Sequence, residues 1–385
     1  MMMTWYKKEI LTLQDVKDFI DKFKEVKPLY GGFDTETDGL HIIRNHPFLL
    51  IFGFVDPKKN EGHTYLLDLD EARPLFRRIA IDNFITEFNK LKRVVAWNAK
   101  YDLHMMTNFG RPNLFEHNIT DAQIYARLAH DAIPEKEGGV PMKLKDYATR
   151  YIDKNARYMS KKVAEERKRL KVLRNKRLQE MLNEKTGKKW PMYKVEAMLS
   201  DKVLGLDNVP RKILPIIKEW LDTTPDPDNY RNLSREIVKQ YAHIDVIYTL
   251  EAFLQCLPVV KDRLQERTVD REERLIYPLY RMERVGFAFN RDYAYESKEK
   301  LKQYILEKRK ELILLAKEDI TVGQHAKIKE ILNNEYNLNL PSTGSSVLEN
   351  IEIENKDAKY FIQTISELRT LEKWYSTYII KWINE

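Results

Sequence analysis

The stretch YGGFDTETDGL, residues 30–40, sets two carboxylates, Asp34 and Glu36, two residues apart in what otherwise reads as a core strand. A strand alternates its faces, so both acids point one way and Phe33 and Thr35 the other. Like charges side by side on one face destabilise a sheet unless something positive lies between them. A divalent cation meets that need, because hard cations such as Mg²⁺ prefer carboxylate oxygens. The alternative is a strand running out into the polar turn TDG, with both acids in water. Two further acids stand in comparable settings. Asp102, in VVAWNAKYDLHMM, follows a short apolar run and opens a helix, with Asn98 and Tyr101 beside it. A carboxylate there can also serve as a helix cap. Tyr241 and Asp245, in KQYAHIDVIYTL, are spaced i, i+4, which puts the phenol and the carboxylate on one helix face.

The elements that would carry these residues are legible in outline. GGFDTET, PFLLIFGFVD and HTYLLDLD read as three successive strands, followed by a helix over about 73–91, the short apolar run RVVAW and a helix from about Lys100. Strands in a row followed by alternating helices and strands predict an α/β layer with a mixed sheet at its centre. Residues 151–190 hold 14 Lys or Arg against 5 Asp or Glu and form a long, charged helix candidate. Its apolar residues (Val163, Leu170, Val172, Leu173, Leu178, Met181, Leu182) make a thin stripe, which predicts a surface helix. Such a helix is either a solvated face or an arm that tracks phosphates. After the loop DTTPDPDN, a helix is expected from about Arg231 to Leu257, with Asn232 or Ser234 as its cap and with Val246, Leu250 and Phe253 burying it beside the sheet. Beyond Pro258 the chain reads as almost wholly helical, and a domain boundary is expected near 262.

The chain has 385 residues, about right for two or three domains, and 43% hydrophobic content supports sizeable cores. Sixty-six basic against 59 acidic residues give a formal charge of +7, which permits a nucleic-acid partner without demanding one. Cys256 is the only cysteine, which excludes an internal disulfide and a cysteine-based zinc site and fits a reducing interior. The N-terminus MMMTWYKKEI lacks a long apolar run, so no signal peptide is expected, and no stretch approaches the ~18 consecutive apolar residues of a membrane span. The expectation is a cytoplasmic chain without a membrane partner. His104, His243 and the other histidines are sparse and unpaired, and no metal role is assigned to them.

Taken in order, FDTETDGL, NAKYDL and YAHIDVIYTL resemble the three exonuclease motifs of the 3′→5′ proofreading domain of bacterial and phage DNA polymerase I-type (family A) enzymes, of the group with four acids and a tyrosine. The resemblance covers about residues 28–257 and extends to the text around the acids. It implies a ribonuclease H-like fold over 1–262, with a basic helical insertion at about 155–220, and two divalent cations, Mg²⁺ or Mn²⁺. It implies catalytic roles for Asp34, Glu36, Asp102, Tyr241 and Asp245. Asp34, Glu36 and Asp245 would serve the nucleophile's metal, Asp34 bridging, and Asp102 would hold the second ion partly through waters. In such sites one ion activates a water for in-line attack and the other stabilises the leaving oxygen. Tyr241 would orient the attacking water; an ordinary phenol pKa near 10 argues against its being the base. Contacts to DNA are implied for Leu40, as an apolar wedge against the terminal base, and for Asn98. Trp97 departs from the polar residue expected beside Asn98 and could stack on a base or belong to the core. Tyr101 completes the expected DNA-contacting set.

Residues 263–385 resemble the helical thumb segment that follows this domain, through REERLIYPLYRMERVGFAFNRDY, NLNLPSTGSSVLENI and SELRTLEKWYSTYI. No palm D-x-S run, no nucleotide-binding helix and no HDE motif is present, so the chain is not expected to polymerise DNA alone. The expected function is the proofreading part of a split or truncated polymerase, expected to be of phage origin, releasing nucleoside 5′-monophosphates from DNA 3′ ends. The expected partner is a second polypeptide carrying palm and fingers. Trp374, Tyr375, Tyr378, Ile379, Ile380 and Trp382 would either face that partner or pack internally. Two other functions fit the same residues: a ribonuclease D-like exonuclease acting on RNA, and a DNA-tethering or assembly subunit of a replisome.

Overall fold

The computed structural model describes residues 3–130, 133, 135–201, 203 and 205–384. The chain divides into two compact units, residues 1–181 with 217–286, and residues 182–216 with 287–385. The first unit is built on β1 (Thr4–Glu9), α1 (Leu13–Val26), β2 (Tyr30–Thr37), β3 (Pro47–Asp56), β4 (Glu61–Asp68), α2 (Pro74–Phe88), β5 (Arg93–Ala96), α3 (Ala99–Asn108) and β6 (Ile119–Asp121). Helices α4 (Ala122–Ala129), α5 (Leu144–Tyr151) and α6 (Tyr158–Thr186) follow. After α7 (Met192–Ser200) and α8 (Leu214–Thr223), the unit closes with α9 (Arg235–Asp262) and α10 (Glu266–Val285).

The six strands form one mixed sheet in the order β1-β4-β3-β2-β5-β6. β2, β3 and β4 are antiparallel neighbours, while β1 runs parallel to β4, and β5 and β6 continue parallel from β2. β3 is an almost unbroken apolar run because it lies mid-sheet and is covered on both faces. One face carries Phe33, Phe52 and Phe54 against Phe19, Phe23, Phe84 and Phe88 of α1 and α2. The other carries Leu49 and Ile51 against Val246, Leu250 and Phe253 of α9, as the sequence predicts for that helix. β1 and β6 are additions to the expected sheet. β1 is a charged edge strand, TWYKKE, of the kind that protects a sheet from further pairing, and β6 has three residues, too few for an alternation to register.

Helix α9 approaches the sheet unusually closely, and two glycines permit it. Gly32 and Gly53 are register partners on β2 and β3. A Cβ on Gly32 would lie 2.9 Å from Val246 Cγ1 and 2.8 Å from Leu250 Cγ; one on Gly53 would lie 2.7 Å from Val246 Cγ1. The helix is also held in register by charge: Arg235 reaches Asp70 at 2.8 Å, and Lys239 reaches Glu9 at 2.9 Å and Glu71 at 3.1 Å.

The long basic helix forms as read, and its stripe is only partly buried. Val163, Leu178, Met181 and Leu182 are covered, whereas Val172 and Leu173 are exposed. The compact units also divide the chain differently from a boundary near 262. α10 packs within the first unit, where Glu273 accepts from Arg93, Thr120 and Tyr125 and Glu283 pairs with Lys100 and His104. Residues 182–216, most of the later part of the expected insertion, fall in the second unit.

The second unit adds α11 (Arg291–Ala316), α12 (His325–Tyr336), α13 (Ser345–Glu349), α14 (Lys356–Lys373) and α15 (Ile380–Asn384). Its core joins Ile305 and Leu312 of α11 to Phe361, Ile365 and Leu368 of α14. A π-helical turn, Trp374–Ile379, links α14 to α15. It turns Tyr375 into this core and leaves Trp374, Tyr378 and Trp382 exposed.

Gly32→Ala and Gly53→Ala each force the stiff, β-branched Val246 away from the sheet, an overpacking cost of about 1–3 kcal/mol. Chemical denaturation should show that loss, and the added change Val246→Ala should recover part of it. An alanine at either position with unchanged stability would contradict this account of the helix–sheet contact.

Candidate metal and nucleic-acid site

The close approach of α9 decides where Asp245 goes. Gly32, Asp34 and Glu36 alternate onto one face of β2, and the residue next to Asp245 on α9 is Val246, which rests on Gly32 and Gly53. Carboxylate oxygens of Asp34, Glu36 and Asp245 consequently lie within 4.8 Å of one another. Three hard oxygen donors converging in a buried place are the donor set that Mg²⁺ and Mn²⁺ prefer, so the residues present fit a divalent ion.

Asp102 arrives from the other side of the strand. It is buried in the first turn of α3, and the Thr35 hydroxyl donates to its Oδ1 at 2.7 Å. Its carboxyl stands outside the group of three but within the electrostatic field of Asp34. Asp121, a residue the motif reading passes over, fixes where α3 begins. Its carboxylate accepts from the backbone N–H groups of Asn98 at 3.1 Å, Ala99 at 3.0 Å and Gln123 at 2.9 Å, so one acid caps two helices. Asn98 itself takes the left-handed conformation at φ 68°, which asparagine tolerates better than most residues.

Tyr241 and Asp245 share the helix face that the i, i+4 spacing predicts, and both line a cavity of about 320 Å³ with Lys143, Lys145, Arg157 and Ser160. Burial holds the Tyr241 phenol well above its ordinary value, so it is protonated and able to donate. Lys145, on α5, is the residue the motifs did not announce. Its Nζ pairs with Asp245 Oδ1 and lies 4.5 Å from the Tyr241 ring centroid. A signal was present: Lys145, Ala148 and Ile152 recur at helical spacing, which sets a lysine on an otherwise apolar stripe.

The residues expected to touch DNA separate into two kinds. Leu40 is 85% exposed in the turn after β2, and Asn98 is exposed at the mouth of α3, with no side-chain cap bond. Trp97 and Tyr101 have internal partners. The Trp97 indole donates to the Met142 carbonyl at 3.0 Å and its ring packs 5.3 Å from Tyr147, which makes it part of the core. The Tyr101 hydroxyl donates to the Gly39 carbonyl at 2.7 Å and meets the Thr37 hydroxyl at 2.6 Å, so it braces the turn that carries Leu40. His104 pairs with Glu283 and His243 with Thr64, both away from the acid cluster.

No family model matches the chain, and no curated protein matches it in sequence. Solved structures do. The polymerase domain of Pol1 from M. smegmatis, in complex with DNA primer–template and dNTP, superimposes with a TM-score of 0.51 at 11% identity, covering 98% of this chain and 50% of that one. The fold is ribonuclease H-like, a mixed sheet flanked by helices, followed by a helical region. The chain spans about half the length of that polymerase domain. Weaker likenesses are to Brucella melitensis NrnC with bound Mg²⁺ (TM-score 0.37, 10% identity, covering 75% of this chain and 97% of that one) and to the catalytic core of RRP6 from Trypanosoma brucei (0.37, 12%, 95% and 80%).

Burial without a metal has a pH signature. It raises the Asp34 carboxyl to about 7, with Lys145 opposing the rise, and lifts Glu36 and Asp102 well above the carboxylate range. Between about pH 4 and 7 the folded chain keeps protons that the unfolded chain has released, so metal-free stability falls as pH rises through that window. A divalent ion binds the deprotonated carboxylates, so its affinity rises over the same range. Thermal melts in chelator should show Tm declining from about pH 5 to about pH 7.5, with a smaller decline in Mg²⁺. Parallel curves with and without Mg²⁺ would contradict an ion at these acids.

Proposed function

We propose that this chain is a metal-dependent 3′→5′ exonuclease acting on DNA 3′ ends, the proofreading portion of a family A-type DNA polymerase. The observation that carries the reading is the convergence of Asp34, Glu36 and Asp245, from sequence-distant motifs, beside a cavity that Tyr241 also lines. Divalent ions held there would supply water activation and charge neutralisation at the scissile phosphate. Asp34, Glu36 and Asp245 would hold the first, and Asp102, oriented by Thr35, would offer the fourth carboxyl. Tyr241 stays protonated and orients the attacking water by donating or accepting through its hydroxyl. Leu40, exposed in the turn after β2, would serve as the apolar wedge against the terminal base, and the exposed Asn98 as a polar contact.

The likeness to a polymerase domain bound to primer–template supports DNA as the substrate and extends over the helical second unit. The basic helix α6 supports a nucleic-acid partner as well. Lys161, Lys168, Lys171 and Lys176 are exposed on it and form no ion pair among the described residues, which suits contact with phosphates. In the second unit the exposed Trp374, Tyr378 and Trp382 suit a protein partner, by the resemblance one that carries palm and fingers.

A primer–template assay with Mg²⁺ and all four dNTPs tests this. Shortening from the 3′ end is expected, releasing 5′-monophosphates. Asp34→Ala with Glu36→Ala should slow it at least ~100-fold, since metal-held charge stabilisation is worth several kcal/mol. Cleavage that survives in chelator would overturn the metal reading. A strict requirement for a 2′-hydroxyl would transfer the activity to RNA.

A further inference from the structure

Lys145 is only 8% exposed; it pairs with Asp245, one of the three acids that would coordinate a divalent ion, and lies within the electrostatic field of Asp34 and Glu36. Among the described residues no other cation is paired with these three acids. The ammonium shares its enclosure with the Tyr241 and Tyr248 rings, 4.5 and 5.3 Å from their centroids. A metal ion and this ammonium cannot both take Asp245 Oδ1 at close range without strong mutual repulsion. The lysine has somewhere to go. Its flexible four-carbon stem lies against the cavity of about 320 Å³, and the Ser160 hydroxyl on the cavity wall is buried without a hydrogen-bond partner. Lys143 and Arg157 line the same cavity; Arg157 is paired with Asp146, also on its wall, which leaves Lys143 as the further cation for a phosphate group.

We propose that Lys145 is a resident counter-cation that exchanges with a divalent metal ion. In the metal-free protein its ammonium sits on Asp245 and supplies positive charge to the acid cluster. When an ion binds, the ammonium swings off Asp245 into the adjoining cavity, toward Ser160 and a substrate phosphate. Lys145 is thus a positioning residue, one that supplies positive charge to the acids before the ion arrives. The inference rests on the reading that these acids bind a metal, and it does not require that the chain cleave DNA.

The test is amine-reactive acetylation of the wild-type chain, mapped residue by residue by mass spectrometry, in chelator and in Mn²⁺. Lys145 should be protected in chelator and become several-fold more reactive in Mn²⁺, while Lys161 and Lys168 stay constant. Calorimetry on Lys145→Met should show Mn²⁺ binding about tenfold or more tighter than wild type, because the competitor is gone. Mn²⁺ binding with Lys145 reactivity unchanged would overturn the exchange and leave the exonuclease reading standing. Exchange in a chain that shortens no strand would overturn the exonuclease reading and leave the exchange standing. Absence of Mn²⁺ binding would overturn both.

Discussion

Three carboxylates gathered within 4.8 Å are the constraint around which the first unit is arranged. At an effective dielectric of 20, each pair at that separation repels by about 3–4 kcal/mol when both members are ionised, as a metal ion requires them to be. Nothing in the strand or the helix alone would hold them there. The sheet does, because a glycine pair lets α9 settle onto β2 and β3, and because Arg235 and Lys239 lock the helix at the acidic end of the sheet. Packing energy and ion pairs spread along α9 offset a repulsion concentrated at one end. This is how a fold stores the electrostatic demand that a divalent ion then satisfies.

The same economy explains Asp102. A fourth acid on the same strand face would add repulsion without support. It is instead brought from α3, across the strand, with Thr35 as hydrogen-bond donor and Asp121 fixing the helix that carries it. Thr35 alternates away from Asp34 and Glu36, so consecutive residues of one strand serve acids on both sides of it. Tyr101, from the next position along α3, braces the turn that displays Leu40. One short helix therefore positions an acid and the turn beside the site.

Much of this was legible in the sequence, for reasons specific to each element. The D-x-E spacing put Asp34 and Glu36 on one face because strand alternation is strict, and the Y-x-x-x-D spacing placed Tyr241 with Asp245 because helical spacing is equally strict. The central strands and α9 announced themselves by long apolar runs. Contacts across the chain left no such trace. Nothing in the sequence shows that Val246 rests on Gly32, and the choice between stacking platform and core for Trp97 is decided only by its indole bonding to the Met142 carbonyl. Lys145 lies in a segment remote from every motif, and only its place on an apolar stripe hinted that it was buried. β6 was too short to carry a pattern, and the pull of Glu273 that holds α10 to the first unit depends on Arg93 and Thr120, far away in the chain.

The central claim is that Asp34, Glu36 and Asp245 exist as a cluster because a divalent ion belongs among them. Crystals of the protein soaked in Mn²⁺ and measured near the manganese absorption edge test it most directly. The account predicts an anomalous peak between these three carboxylates, within about 2.0–2.3 Å of their oxygens. An ordered cluster with no anomalous peak at saturating Mn²⁺ would contradict it.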